Sequence, residues 1–201
     1  MPSAVMSTNR LEAFSDGVFA IVITLLVLDL RLPAELPGEG LWLRLTHIWP
    51  KVSAYAITFT IVGIYWVGHH GLFHLVKRID KTLMWLNIYL LMAISFMPFP
   101  ASIMGMDPTD PTAIRFYAGT LLLIGSGFIA IWTYAGRHLV DRNLDASIRR
   151  VLWLRVLIAP TVYGLAFLAS YWSPRASLAL FMLVPLLYIP PNRFDPRFFR
   201  A

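Results

Sequence analysis

Cysteine is absent from the chain. That excludes a disulfide framework, a thiolate metal site and a cysteine nucleophile. Charge is scarce as well. Only 14% of residues are Asp, Glu, Lys or Arg, whereas soluble domains carry roughly 25%. The chain also shows no Ser-His-Asp arrangement and no phosphate-binding loop, and no linker, low-complexity tract or internal repeat. What it has in abundance is apolar surface, with hydrophobic residues making up 58% of 201 positions. One small globule cannot hide that much, so lipid is expected to act as part of the solvent. The formal charge of +6 could suggest nucleic acid. In a membrane protein, basic residues collect on cytoplasmic loops, and no nucleic-acid partner is expected.

A membrane-crossing helix needs about 20 predominantly apolar residues. Uncharged runs fill 52–76, 82–106, 116–136, 156–173 and 176–192. The uncharged stretch 17–28 is too short alone, but Leu11, Ala13 and Phe14 before it and Leu30 and Leu32 after it extend the pattern to Pro33. It lacks a small-residue cleavage site and runs into Asp29, so a retained helix is expected. The reading is one all-α, polytopic membrane domain over 1–201, with six transmembrane helices at approximately 10–32, 50–76, 82–106, 113–136, 151–173 and 175–191. Pro98, Pro100, Pro160 and Pro185 fall inside these spans, where neighbouring groups can satisfy the freed carbonyls.

The connections separate by charge. Lys77, Arg78 and Lys81, then Arg137, Arg142, Arg149 and Arg150, then the tail with Arg193, Arg197 and Arg200 lie on one side. The loop with Asp107 and Asp110 and the loop with Glu35 and Glu39 lie on the other. The positive-inside rule puts the first set, and with it both termini, in the cytoplasm.

Ionisable residues inside a span are costly and usually face a bundle interior or water. The first helix has two, Asp16 and Asp29, roughly 20 Å apart at about 1.5 Å rise per residue. Ile21, Leu25 and Leu28 make an apolar stripe at helical spacing, with Thr24 beside it. Asp16 points about 140° away from Ile21, as a buried carboxylate on a second face, whereas Asp29 is only about 80° off the stripe. Around a symmetric axis such a stripe would become a hydrophobic constriction that gates by dewetting. Trp66, His69, His70 and His74 on the second helix and Asn87 on the third lie at the depth of Asp16 and can bond to it, and Arg10 can reach the same layer.

The segment from Arg10 to Ile21, with Arg10 four residues before Phe14-Ser15-Asp16, resembles the signature of the transmembrane protein 175 family of potassium channels. Tyr65-Trp66-Val67-Gly68-His69-His70, Leu86-Asn87 and Pro98-Phe99-Pro100 are similar to its second and third helices. The resemblance is close over roughly the first half of the chain. It implies a homotetramer of single-repeat subunits, the family's bacterial form, in a bacterial inner membrane with helix one around the pore. Ile21 would be the narrowest ring, Leu25 and Leu28 further apolar rings, and Thr24 a hydroxyl ring tied to potassium preference. Arg10, Phe14, Ser15 and Asp16 would form a structural latch with Trp66, Asn87 and either His69 or His70. The permeant ion would be potassium, with no cofactor, and the protein would not be an enzyme. Asp29 is expected at the outer mouth.

Rival readings come from other residues. Asp16 and the histidines could relay protons in a coupled transporter, although the inverted repeats and broken midplane helices of that class are not evident. His70 and His74 share a helix face as metal ligands do, without a third ligand. Thr60 to Tyr65 faintly resembles the TVGYG filter but lies within a continuous apolar run. Arg149, Arg150 and Arg155 could hold a lipid headgroup.

Overall fold

The computed structural model describes residues 8–33, 40–141 and 144–189. Arg142, Glu35, Glu39 and the basic tail lie outside the described residues. Among those described, regular structure is helical, apart from an antiparallel bridge between Val76 and Val140. The helices are α1 (Thr8–Leu25), α2 (Leu41–His47), α3 (Trp49–His74), α4 (Lys81–Ser95), α5 (Pro98–Met106), α6 (Pro111–His138), α7 (Ala146–Ala169) and α8 (Pro174–Tyr188). Five stretches are long and apolar enough to cross a membrane: Thr8–Asp29, Trp49–His74, Lys81–Met106, Pro111–His138 and Ala146–Ala169. The shorter Pro174–Tyr188 is apolar too. The protein is thus a multi-pass, all-helical membrane protein.

Local chemistry explains the helix ends. Asp80, Asp110, Asp145 and Ser173 each accept a bond from a backbone N–H in the first turn of α4, α6, α7 and α8, satisfying donors that a helix start leaves open. Proline follows at the first helical position of α6 and α8, where its missing N–H costs nothing. Pro98 interrupts the third span. Without an N–H it cannot bond Ile94, and the Met97 N–H takes that carbonyl instead at 3.0 Å, three residues back. The chain therefore divides into α4 and α5 there. Two features differ from the sequence reading. The first helix is α-helical only to Leu25 and closes in a 3₁₀ turn over Leu26–Asp29. The stretch between the first two spans, expected to be loop, contains the short helix α2.

Helix α6 is the centre of the bundle, packed against α4, α5, α7 and α8. Tyr117, Leu121, Ile124, Trp132 and Ala135 on it are fully or almost fully buried. Two glycines let it be approached closely. A Cβ at Gly125 would sit 2.5 Å from Pro160 Cγ of α7, and one at Gly127 would sit 3.0 Å from Leu90 Cδ1 of α4. Helix α1 is different, because among the described residues it packs mainly on α3 and α4.

At one end of the bundle the α3–α4 connection is strapped to the end of α6. Lys77 bonds Asp141 at 2.5 Å, its N–H bonds the Leu139 carbonyl at 3.1 Å, and Arg78 reaches the His138 carbonyl at 3.4 Å. Asp80 accepts from the Leu83 N–H at 2.9 Å and from the Tyr134 hydroxyl at 2.5 Å. Partial burial pushes the Asp80 carboxyl up, but these bonds, with the Thr82 N–H and the nearby Arg78 charge, outweigh it and hold the group below its ordinary value.

Two stability predictions follow from this packing. Gly125→Ala should cost about 1–3 kcal/mol, the usual penalty for overfilling a packed interface, read as a lower melting temperature in detergent. Asp80→Ala should cost about 1–2 kcal/mol, typical of a lost helix cap. Because the folded carboxyl titrates low, that contribution should be complete above the ordinary carboxylate range and be lost as pH falls through the lowered value. Equal acid sensitivity of Asp80→Ala and the native chain would count against it.

Candidate functional site

Helix α1 presents three faces. Leu11, Ser15, Phe19 and Val22, with Leu26 of the 3₁₀ turn, are buried against α3 and α4. On one flank Phe14, Ile21, Leu25 and Leu28 are exposed, the last three at 59%, 43% and 59%. On the other flank is Asp16. Thr24 is exposed beside the apolar flank, and its hydroxyl lies 3.0 Å from the Ala20 carbonyl and 2.8 Å from the Ile21 carbonyl.

The buried face is held by a polar chain. The Ser15 hydroxyl donates to the Leu11 carbonyl at 2.8 Å, and Asn87 Nδ2 donates to Ser15 Oγ at 3.0 Å. His69 Nε2 lies 2.8 Å from Asn87 Oδ1. An amide oxygen can only accept, so Nε2 carries the proton in that bond. Ser15, Asn87 and His69 are all at most 1% exposed. The His69 ring stacks on Phe73 at 4.2 Å and meets Phe19 edge-on at 5.6 Å, which fixes its orientation. Three helices, α1, α3 and α4, are thus tied through one amide.

Asp16 sits in a separate, more open pair. Trp66 Nε1 donates to its Oδ1 at 2.8 Å. Two sequence expectations need correction here. Asp16 is exposed in the chain rather than buried, because its partner Trp66 lies at the edge of the α1–α3 contact and is itself exposed. Asn87 bonds Ser15 and not Asp16, since Ser15 is the residue that faces α4. His69 is the histidine of the buried chain. His70 instead lies 3.9 Å from Glu12 and stacks toward Trp66 and His74. Phe14 and Arg10 are exposed.

Glu12 escaped the sequence reading although a signal for it existed. Helices α1 and α3 run antiparallel. Glu12 is four residues before Asp16, and His70 is four residues after Trp66, so the second pair is the first repeated one turn away. Lys51 was missed too. Its Nζ lies 3.9 Å from Asp29 Oδ2. The expected angle of Asp29 assumed an α-helix. From Leu26 the backbone winds at about 3.0 residues per turn rather than 3.6, which turns Asp29 toward the first turn of α3. Among the described residues no three His, Asp or Glu side chains gather as metal ligands do.

A sequence profile of the family described as endosomal/lysosomal potassium channel TMEM175 matches residues 10–98, the stretch that contains Arg10, Ser15, Asp16, Trp66, His69 and Asn87. A potassium channel of Streptomyces collinus is 37% identical over 188 residues, covering 90% of this chain and 91% of that one. The chain belongs to the TMEM175 family. A crystal structure of a lysosomal potassium-selective channel TMEM175 homologue from Chamaesiphon minutus superposes with a TM-score of 0.78 at 34% identity, covering 90% of this chain and 96% of that one. The endosomal/lysosomal proton channel TMEM175 of Homo sapiens is 27% identical over 92% of this chain, which spans 38% of that longer protein. The Ser15–Asn87–His69 chain therefore lies in the part of the molecule that the TMEM175 profile covers.

Removing Asn87 should leave the buried His69 N–H without an acceptor. Asn87→Ala is expected to cost about 1–3 kcal/mol and to lower the melting temperature. Trp66→Phe, at an exposed pair, should cost less. Equal melting shifts for the two would argue against the buried chain as the stronger tie.

Proposed function

We propose that this chain is one subunit of a homotetrameric, potassium-selective, leak-type channel whose pore is lined by α1. The observation that carries the reading is the one-sided packing of that helix. An apolar flank of Phe14, Ile21, Leu25 and Leu28 is left uncovered by its own bundle, and α1 is nevertheless held firmly from behind by buried bonds. A helix so arranged is suited to surround an axis with copies of itself. Membership of the TMEM175 family, with relatives named potassium channels, supports the ion.

In this reading each subunit crosses the membrane six times, with Pro174–Tyr188 as the sixth span. Lys77, Arg78, Lys81, Arg137, Arg149 and Arg150 hold one side, and both termini, in the cytoplasm of a bacterial inner membrane. Rings of Ile21, Leu25 and Leu28 form a hydrophobic constriction that wets and dries. Thr24 supplies an oxygen in an otherwise apolar wall. Its proton is engaged by backbone carbonyls of its own helix, so the oxygen lone pairs are free to meet a cation. No TVGYG loop and no cofactor take part, and the protein catalyses no reaction. The latch of Ser15, Asp16, Trp66, His69 and Asn87 keeps α1 against its bundle, so it sets pore width without touching the ion.

Ion flux in liposomes tests this, under a potassium gradient and then a sodium gradient. Native protein should favour potassium. Ile21→Asn should raise flux on the order of tenfold, equivalent to about 1.4 kcal/mol off the barrier, or erase selectivity. Saturable flux that requires a proton gradient would favour a coupled transporter instead. Asp29 and Lys51 make a second test at the outer mouth. Asp29→Asn should lower conductance at low salt and Lys51→Gln should raise it. Both effects should fade at 1 M salt, where charges are screened beyond about 3 Å.

A further inference from the structure

A cavity of about 650 Å³ lies between α3 and the α6–α8 side of the bundle. Its volume falls within the range of roughly 300–1,000 Å³ typical of small-molecule sites. The wall on α3 is unusually bare. A Cβ at Gly63, Gly68 or Gly71 would meet nothing within 4 Å, so these glycines are not explained by close helix packing. They leave room instead. Across from them α7 contributes Arg155 and Tyr163 to the lining.

Both of those residues are out of keeping with an empty apolar hollow. Arg155 lies in the second turn of the fifth span, whose apolar residues begin near 151, at the end of α7 that Arg149 and Arg150 precede. From there a long arginine side chain reaches the headgroup layer. Tyr163 is fully buried, and although Tyr65 lies beside it, its hydroxyl has no hydrogen-bond partner of good geometry. Buried hydroxyls are normally satisfied, and the neighbouring Tyr65 lines the same cavity. Arg149 and Arg150, one to two turns earlier on α7, add positive charge toward the same end of the helix.

We propose that this cavity binds one anionic phospholipid of the inner leaflet. The phosphate pairs with Arg155, a glycerol ester carbonyl accepts from Tyr163, and an acyl chain lies along Gly63 and its neighbours. Charge complementarity selects this occupant, since basic pockets between membrane helices on the cytoplasmic side recognise anionic headgroups. The lipid acts on α1 through Trp66. That side chain lines the cavity and also donates to Asp16 on α1. An acyl chain packed behind Trp66 keeps the indole against Asp16 and so keeps α1 drawn back to its bundle. The effect on conduction rests on the channel reading above, whereas binding of the lipid does not.

The test is native mass spectrometry of the purified full-length protein titrated with dioleoyl phosphatidylglycerol or dioleoyl phosphatidylcholine. The native chain should retain the phosphatidylglycerol preferentially. Arg155→Gln should weaken that retention about fivefold, the worth of one arginine near an anionic surface, and Arg155→Lys should restore most of it. Gly63→Leu, which fills the cavity while leaving every charge in place, should also displace the lipid. In vesicles, added phosphatidylglycerol should raise potassium flux of the native chain and leave that of Gly63→Leu unchanged. Equal retention of the two lipids, or equal retention by all variants, overturns the site. Gly63→Leu that keeps its lipid but loses its oligomeric state assigns the cavity to a second copy and overturns it as well. Selective binding with no change in flux overturns the coupling through Trp66. Absence of flux from every protein in every bilayer counts against the channel reading alone.

Discussion

A hydroxyl, an amide and an imidazole buried between three helices in lipid have no water to turn to. Ser15, Asn87 and His69 are therefore obliged to bond one another, and the geometry of that obligation positions α1. Asn87 is the hinge of the arrangement because its amide both donates and accepts. Its Nδ2 reaches α1 and its Oδ1 reaches α3, while its own backbone belongs to α4. Neither hydrophobic packing nor lipid exclusion could specify the rotation of α1 so narrowly, since one apolar helix face slides against lipid about as readily as another. The rest of the first helix follows from that rotation. With Ser15 inward, Ile21, Leu25 and Leu28 are turned out on one flank and Asp16 on the other.

The remainder of the bundle serves as a scaffold for this one helix. Helix α6 is enclosed by its neighbours, and its glycines allow α4 and α7 to approach at close range. Helix α1 gains nothing from that core directly. It is attached through α3 and α4, and its outward apolar flank of Phe14, Ile21, Leu25 and Leu28 is exposed among the described residues. This division between an immobilised back and an open front is the physical basis for reading α1 as the element that meets ions and other subunits.

Much of this was legible in the sequence. The apolar runs, the stripe at Ile21, Leu25 and Leu28, and the Phe14-Ser15-Asp16 signature with Trp66 and Asn87 were all readable from spacing and resemblance. The partner assignments were not. Which of His69 and His70 joins the buried chain depends on the rotation of α3 about its axis, and two adjacent helical residues lie about 100° apart. The sequence reading left Asn87 able to bond the Asp16 carboxylate, within a latch that also included Ser15. The fold gives Asn87 the neighbouring hydroxyl instead. The Lys51 pair was hidden behind a change of helical pitch, because nothing in Leu26–Asp29 announces a 3₁₀ turn.

The sequence by itself determined the solvent, the approximate place of the apolar stretches, and the identity of the polar residues that lipid would force together. Those properties depend on composition and on periodicity along one chain. Only the tertiary structure decided which polar group meets which, that Glu12 repeats the Asp16 pairing one turn away, and that a cavity beside Arg155 backs onto Trp66. Those depend on the rotation and pitch of one helix against another, which buried hydrogen bonds set and no single helix encodes.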